Sequence, residues 1–352
     1  DGTYSSWQRD SVTEDETSVS ADGTITVQSR SDDPVYGSVA RYVSQTTTTT
    51  PSGISINQSL SRAVTLADAS NPLSVQQIVE TLSQGGQSWT KTFTAATRTW
   101  TLTSPAGRTA MVQVDEKGRV VRTETGGTLP VVYTWDAQGR MTQVMQGTRV
   151  LTLAYDAAGN LSSMTDPLGR VVSYARDALG RVTTQTFPDG RVMQFGYGAD
   201  GQMSSLTPPG KPAHQMGYSA VLRQSSYTAP PVGQEPSATV TQRNLDDQVT
   251  SVQNPDGTST QFNYDAGGRL SAVVGTAGTT TVAYAANGQV SQVTAPGGEV
   301  LRRGMDGGLL TLEEWAGTVS GNVGYGYDAQ GRVAWQEVNG ANRINYSYDT
   351  DG

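Results

Sequence analysis

The sequence predicts an all-β fold of repetitive antiparallel β-hairpins, and two observations support this prediction. First, a short motif recurs about every 20–23 residues: an aromatic residue, often Asp, two variable positions, then Gly and often Arg. Second, 40 of the 352 residues are Gly, and Thr, Ser, Val and Tyr are abundant, a composition that favours strands and turns over helices. A fixed period of this length is typical of repeat architectures.

The turn glycines mark the period along the chain. They are Gly118, Gly139, Gly159, Gly180, Gly201, Gly268, Gly288, Gly331 and Gly352. The longer gaps between them are close to whole multiples of the period, which places altered copies of the turn near Leu222, Asp247 and Gly308.

Each residue of the motif has a predicted role in a β-turn. Asp at the first turn position accepts backbone hydrogen bonds, and Gly supplies the positive φ of a tight hairpin or a turn with a G1 bulge. The aromatic residue packs against the next repeat, and we expect the Arg to begin the return strand and point outward. The predicted turn residues are Trp135, Asp136, Gly139, Arg140, Tyr155, Asp156, Gly159, Asp177, Gly180, Arg181, Tyr197, Gly201, Tyr264, Asp265, Gly268, Arg269, Tyr327, Asp328, Gly331 and Arg332.

A second turn lies midway through several periods, for example at 166–170, 188–191, 255–257 and 296–298. Each period therefore holds two strands and two turns, and the chain holds roughly two dozen strands. Open twisted sheets rarely exceed about ten strands without curling. We therefore expect a curved or spiralling sheet.

The chain divides into two predicted segments. Residues 1–88 form an irregular β-rich segment, and residues 89–352 form the repeat sheet with a Pro-rich interruption at 208–236. Within the first segment, Thr46–Thr50 suits an exposed strand, whereas Leu73–Leu82 fits a short helix and a strand equally well.

Charge and composition argue against several function classes. The net charge is −8 and the basic residues form no cluster, which argues against a nucleic-acid surface. The absence of Cys excludes disulfides and thiolate metal sites. No run of 18 apolar residues is present, so no helical membrane span is predicted, and no cofactor is expected.

Candidate catalytic groups are few, and we predict that the chain is not an enzyme. His214 is the only histidine and lies in a Pro-rich stretch without a nucleophile motif. Adjacent carboxylates at Asp32-Asp33, Asp246-Asp247 and Glu313-Glu314 suggest a glycosidase pair only weakly, and Glu14–Glu16 and Asp349–Asp351 lack a complete calcium-loop pattern. The series of Tyr and Trp residues leaves sugar stacking as an alternative to packing between repeats.

Several stretches resemble the Rhs/YD-repeat family. They read YDAAGNLSSMTDPLGRVVSYARDALGRV, PDGRVMQFGYGADGQM, NPDGTSTQFNYDAGGRL and YGYDAQGRVAWQ, and the resemblance covers residues 89–352 best. It implies a strip of sheet that forms part of a hollow β-shell. In bacterial polymorphic toxins and insecticidal toxin complexes such a shell encloses a C-terminal toxic polypeptide, and in teneurins a related shell serves adhesion.

The resemblance leads to a functional expectation. We expect a structural wall of an Rhs-type shell in a larger secreted bacterial protein, with a surface adhesin or a glycan-binding repeat protein as the alternative. The implied partners are the rest of the same chain, with further repeats and a toxin region, components of a secretion system, and glycans under the alternative. Because the sequence begins at Asp1 and stops at Gly352 inside a copy of the motif, we expect a segment of a longer protein, secreted or at the cell surface.

Overall fold

A computed structural model describes residues 5–231 and 238–352. Within these residues the chain forms thirty-one β-strands and no helix. Every strand pairing resolved between neighbours is antiparallel and joins strands that are consecutive in sequence, for example β4 with β5 and β13 with β14. The predicted class, all-β with repetitive antiparallel hairpins, is confirmed.

The chain divides into two compact units. Unit 1 comprises residues 1–128, 265–271 and 280–352, and unit 2 comprises residues 129–264 and 272–279. Strands β24 (Leu270–Gly275) and β25 (Gly278–Tyr284) contribute residues to both units.

Unit 1 contains two runs of strands. The first run is β1 (Ser6–Arg9), β2 (Glu16–Val19), β3 (Ile25–Asp33), β4 (Gly37–Thr49), β5 (Ser55–Leu66), β6 (Val75–Gln84), β7 (Gln87–Thr94), β8 (Thr99–Thr103), β9 (Thr109–Val114) and β10 (Val120–Thr125). The second run is β26 (Val290–Thr294), β27 (Val300–Asp306), β28 (Leu309–Ala316), β29 (Gly321–Tyr327), β30 (Val333–Val338) and β31 (Asn342–Asn345). In each run every strand pairs with the next.

Unit 2 is one run of short hairpins. Its strands are β11 (Val131–Trp135), β12 (Met141–Gln146), β13 (Arg149–Tyr155), β14 (Leu161–Thr165), β15 (Val171–Arg176), β16 (Val182–Thr186), β17 (Val192–Tyr197), β18 (Met203–Thr207), β19 (His214–Tyr218), β20 (Gln224–Thr228), β21 (Ala238–Arg243), β22 (Val249–Gln253) and β23 (Ser259–Tyr264). Strands β19 and β20 lie within the Pro-rich stretch, whose residues 232–236 fall outside the described part of the chain.

The last residue of many incoming strands lies at a β-bulge. The pairing register shifts between Thr134 and Trp135, and again between Ala154 and Tyr155. The glycine that ends the four-residue turn has a positive φ, as at Gly139 (85°) and Gly159 (89°). Each such turn is therefore a hairpin with a bulge at the aromatic position, which sets the direction of the return strand.

The sheet has no buried apolar core within the described residues. None of their hydrophobic side chains is fully buried, and the buried polar residues are Asp33, Thr50 and Asp306. Successive side chains alternate between the two faces of a strand, and here both faces stay partly exposed. Stability therefore depends on contacts between neighbouring repeats and turns more than on a central core.

Two local predictions are decided in the N-terminal segment. Residues 75–82 belong to strand β6, so the strand interpretation of Leu73–Leu82 is right and the helix is wrong. The expected strand at Thr46–Thr49 is present as part of β4, but the expected exposure is wrong, because Thr46–Thr49 are half-buried and Thr50, after the strand, is only 6% exposed. Thr50 is buried because it contacts a distant turn, described below. The N-terminal strands also raise the number of strands above the expected two dozen.

Candidate functional site

The aspartate of the repeat organises its own turn. Oδ1 of Asp136 accepts hydrogen bonds from the backbone N–H of Gln138 (3.0 Å) and of Arg140 (2.8 Å), while Oδ2 accepts one from Nε of Arg140 (2.7 Å). The N–H of Gly139 donates to the carbonyl of Asp136 (3.1 Å). One carboxylate thus satisfies two turn N–H groups and orients the arginine.

The oriented arginine then joins one repeat to the next. The guanidinium of Arg140 lies 4.6 Å from the ring centre of Tyr155, and the Tyr155 hydroxyl donates a 2.7 Å hydrogen bond to the carbonyl of Met141. Such a cation–π contact is worth about 0.5–1 kcal/mol at an exposed site. The same stacking and hydroxyl bond recur at Arg181 with Tyr197, Arg269 with Tyr284 and Arg332 with Tyr348.

This geometry corrects the expectation that the arginines point outward. The side chains of Arg140 and Arg181 are 32% and 29% exposed, since each folds back onto its own turn and under the next tyrosine. The ring and hydroxyl of the repeat tyrosine are therefore both engaged by the preceding repeat.

Hydrogen bonding lowers the pKa of the turn carboxyls. The backbone N–H of Arg140 is the main cause at Asp136, and the side chain of Arg181 is the main cause at Asp177. The backbone N–H of Arg269 holds the pKa of Asp265 down in the same way. These carboxylates are ionised at neutral pH and act as turn acceptors.

One altered copy preserves the contact between repeats with different residues. At the tyrosine position of the turn 177–180 the chain has Arg176, whose guanidinium donates to the carbonyls of Leu161 (3.1 Å) and Gly180 (2.9 Å). Leu161 occupies the same position after its turn as Met141 does. The preceding turn has Asn160 where others have Arg, and Asn160 bonds to Asp156 through its N–H (2.8 Å). Because residue 160 is Asn and not Arg, the contact between these two repeats contains one guanidinium group, that of Arg176.

A second altered copy keeps two arginines and adds a carboxylate. Arg223 and Arg243 both approach Asp247, at 2.8 Å and 3.8 Å. Asp247 occupies the position of the turn glycine and has a φ of 63°. Asp adopts this left-handed conformation more readily than most residues, which allows the turn to carry a charge where a glycine would have none.

Unit 1 also contains a lateral contact between turns that are far apart in sequence. The carboxylate of Asp306, at the end of β27, accepts hydrogen bonds from the Thr50 hydroxyl (2.7 Å), the Ser52 N–H (2.7 Å) and the Ser52 hydroxyl (2.5 Å). Asp351 accepts equivalent bonds from the Ser104 hydroxyl (2.9 Å) and the Ala106 N–H (2.8 Å). We call each arrangement a carboxylate clamp.

The two clamps have the same chemical pattern. Each uses a Ser/Thr-Pro-x-Gly turn, Thr50–Gly53 or Ser104–Gly107, in which the hydroxyl and the N–H of residue x hold one carboxylate. Arg108 adds ion pairs to Asp349 and Asp351, both at 2.8 Å. Between the clamps Gln330 packs on the turn at Gly85, where a Cβ would lie 2.6 Å from its Cγ.

Burial and hydrogen bonding oppose each other at Asp306. Burial alone would raise the pKa of this carboxyl, but the hydrogen bonds from Ser52 and Thr50 outweigh burial and lower it. Asp306 is 7% exposed, so the clamp holds an ionised group that is nearly removed from solvent. Sequence reasoning missed these residues; the repeated Ser/Thr-Pro-x-Gly pattern was the available signal.

In the structure, His214 and at least one member of each carboxylate pair already have a hydrogen-bond or ion-pair partner. Nδ1 of His214 is hydrogen bonded to the Tyr227 hydroxyl at 2.6 Å. Glu313 and Glu314 pair across the strands with Arg303 and Arg302, on opposite faces of β28.

Asp32 and Asp33 also pair separately, with Arg41 and Arg62, and Asp247 is held by Arg223. Over residues 5–231 and 238–352, no cluster of three or more His, Asp or Glu side chains is placed to hold a metal ion. The described chain also contains no helix long and apolar enough to cross a membrane.

A run of hairpins joined by Asp, Arg and Tyr defines a structural β-repeat protein. The chain belongs to the Teneurin YD-shell family, which matches residues 3–323. Membership of this family supports a structural shell role and a non-enzymatic one. No curated protein sequence matches the chain.

Solved structures of toxin-complex proteins share the fold. The crystal structure titled TcdB2-TccC3-TEV has a TM-score of 0.65 and 12% identity, over 93% of this chain and 19% of that one. The structure titled TcdB2-TccC3-Cdc42 has a TM-score of 0.53 and 11% identity, over 98% and 24% of the two chains. TcdB2-TccC3 without its hypervariable C-terminal region has a TM-score of 0.52 and 12% identity, over 96% and 23%. The present chain thus spans less than a quarter of the length of these proteins.

Proposed function

We propose that this chain is part of the wall of an Rhs-type β-shell that encloses a C-terminal toxic polypeptide in a larger secreted bacterial protein. The observation that carries the proposal is the contact between successive repeats, which we call the repeat junction. In it the aspartate of one turn orients an arginine, and the arginine stacks on the tyrosine of the next turn. Membership of the YD-shell family and the fold shared with toxin-complex proteins support it. Its partners would be further repeats, the enclosed polypeptide and the secretion apparatus.

One face of unit 1 suits contact with an unfolded polypeptide. Leu60, Leu82 and Trp89 lie opposite one another on β5, β6 and β7, and Leu102 follows on β8. With neighbouring residues they line a cavity of about 480 Å³, and Leu82 and Leu102 are 39% and 42% exposed. Apolar surface of this kind binds apolar side chains without requiring a folded partner.

Site-specific photo-crosslinking in the full-length protein tests enclosure. A photoreactive residue at Leu102 is expected to crosslink to the C-terminal polypeptide, whereas one at Thr101, on the opposite face of β8, is expected not to. Mass spectrometry of the crosslinked peptides identifies the partner. Crosslinks from both positions alike, or from neither, would overturn enclosure against this face; crosslinks to a glycan carrier would favour the adhesin alternative.

A further inference from the structure

Two of the three lateral contacts of unit 1 are made by the third residue of a four-residue repeat turn, and the other is made by Asp306 at the end of β27. In the turns 328–331 and 349–352 the third residue is Gln330 or Asp351, and these side chains reach Gly85 and the Ser104–Gly107 turn. The first and fourth residues are already committed to capping and to the positive φ. Of the two variable middle positions, the third is the one whose side chain makes the lateral contact in both turns.

Three successive turns of unit 2 present this position to solvent. The turns 198–201, 219–222 and 244–247 have Asp200, Val221 and Asp246 as their third residues, and we call them the open turn edge. Asp200 and Asp246 are exposed, and Val221 is 76% exposed. Oδ1 of Asp200 accepts a hydrogen bond from the backbone N–H of Gln202 (3.1 Å), and its other oxygen faces solvent. Between the second and third turns lies a cavity of about 400 Å³, lined in part by Val221 and Leu245.

The open turn edge repeats the chemical order of the occupied contact in unit 1. Along the edge in unit 1 lie a carboxylate at the end of β27 (Asp306) and then two third residues of repeat turns, one uncharged (Gln330) and one a carboxylate (Asp351). In unit 2 the corresponding residues are Asp200, Val221 and Asp246. In unit 1 the facing edge supplies a clamp turn, a glycine turn and a second clamp turn.

We propose that the open turn edge binds a β-hairpin edge that carries two Ser/Thr-Pro-x-Gly turns separated by one other turn. The two clamp turns hold Asp200 and Asp246 through a hydroxyl and a backbone N–H, and the middle turn enters the cavity beside Val221. The partner is a polypeptide of this repeat type. This mode of binding follows from the contacts of unit 1 and does not depend on what the wall encloses.

A synthetic hairpin with the sequence of residues 99–113 is the probe, since it contains one clamp turn, Ser104–Gly107, between β8 and β9, and so tests the binding of a single clamp turn at Asp200 or at Asp246. Its binding to the full chain is followed by amide shifts in an NMR titration. The control hairpin has Pro in place of Ala106, as the native turn Thr207-Pro208-Pro209-Gly210 has at its third position, and so lacks the donating N–H.

The expected result is that the probe shifts the amides of the turns 198–201 and 244–247, and that the control hairpin does not. Asp200→Asn with Asp246→Asn should weaken binding by about tenfold or more, because an amide cannot accept both donors with a charged oxygen. Asp189→Asn, in a turn at the other end of the strands, should leave affinity unchanged. Equal binding of both hairpins, shifts confined to Asp306 and Asp351, or no binding to the wild-type chain would each overturn the proposal.

Discussion

The guanidinium of Arg140 lies 4.6 Å from the ring centre of Tyr155, and Tyr155 donates its hydroxyl hydrogen to the carbonyl of Met141, the residue that follows Arg140. The arginine is fixed by its own turn, and the tyrosine belongs to the next turn. The period of the sequence is therefore also the period of a physical connection. A wall without a buried apolar core can be stabilised in this way, one junction at a time.

The hydroxyl of Tyr155 is expected to contribute measurably to stability. Tyr155→Phe keeps the ring under Arg140 but removes the bond to Met141, and leaves that partly buried carbonyl without its donor. We expect a loss of about 1 kcal/mol. Urea unfolding followed by tryptophan fluorescence measures it. Tyr36→Phe is the control, because Tyr36 is 51% exposed at the turn after β3, and it should leave the midpoint unchanged. Equal midpoints for the two variants would contradict the junction.

The pairing of Asn160 with Arg176 predicts a strong non-additive effect. Asn160→Arg places a second guanidinium beside Arg176 and should be destabilising. Arg176→Tyr alone loses the bond to Gly180 and has no guanidinium under its ring, although its hydroxyl can still donate to the carbonyl of Leu161 as that of Tyr155 does to Met141. The double variant restores the arrangement of Asp136, Arg140 and Tyr155. It should be more stable than either single variant, with a coupling of about 1 kcal/mol or more in a double-mutant cycle. Additive changes in the free energy of unfolding would refute the compensation.

The turns were predictable because the residues that form each turn are neighbours in the sequence. Asp136 and Gly139 reveal a turn through hydrogen-bonding capacity and backbone freedom, which depend on four neighbouring residues. The direction of Arg140 was not predictable in the same way. Its partner Tyr155 lies fifteen residues on, and only the period of the sequence relates the two.

The Ser/Thr-Pro-x-Gly turns of the carboxylate clamps can be found in the sequence, but the carboxylate that each turn holds cannot, for a different reason. Thr50 and Asp306 are 256 residues apart, and the sequence around one residue does not indicate that the other is its partner. A polar threonine run before a proline is ordinarily exposed, so the sequence predicted that Thr50 is exposed to solvent. Burial of such a residue depends on which turn lies against it, and that is a property of the tertiary structure.

Two turn glycines should differ in their tolerance of a methyl group. Gly118 and Gly331 have φ values of 77° and 76°, so alanine strains both by about 1 kcal/mol. A Cβ at Gly118 meets nothing within 4 Å, whereas one at Gly331 would lie 2.6 Å from Cδ1 of Ile56. Gly331→Ala should therefore cost more in thermal or urea unfolding.

A second substitution separates the contact from the strain. Ile56→Val removes Cδ1, so the extra cost of Gly331→Ala should largely disappear in the Ile56→Val background, while the strain remains. Gly308→Ala, without a positive φ and with open space around its Cβ, should be nearly neutral. An equal cost at all three glycines would contradict both arguments.

The clamp at Asp306 should open in acid. The pKa of Asp306 is lowered in the folded protein, so its ionised form contributes stability that is fully present above the ordinary pKa of about 3.9. That contribution is lost as the pH falls through the lower folded pKa, when the carboxyl takes up a proton and no longer accepts all three hydrogen bonds. Hydrogen exchange at the Ser52 amide, corrected for its intrinsic pH dependence, measures the change. Protection should be constant above the ordinary pKa of about 3.9 and fall below it, while the Gly201 amide, which donates to a backbone carbonyl, should keep its protection. Asp306→Asn should show low Ser52 protection that does not change as the pH falls, and a wild-type protection factor that stays constant in acid would mean that the carboxylate does not hold the turn.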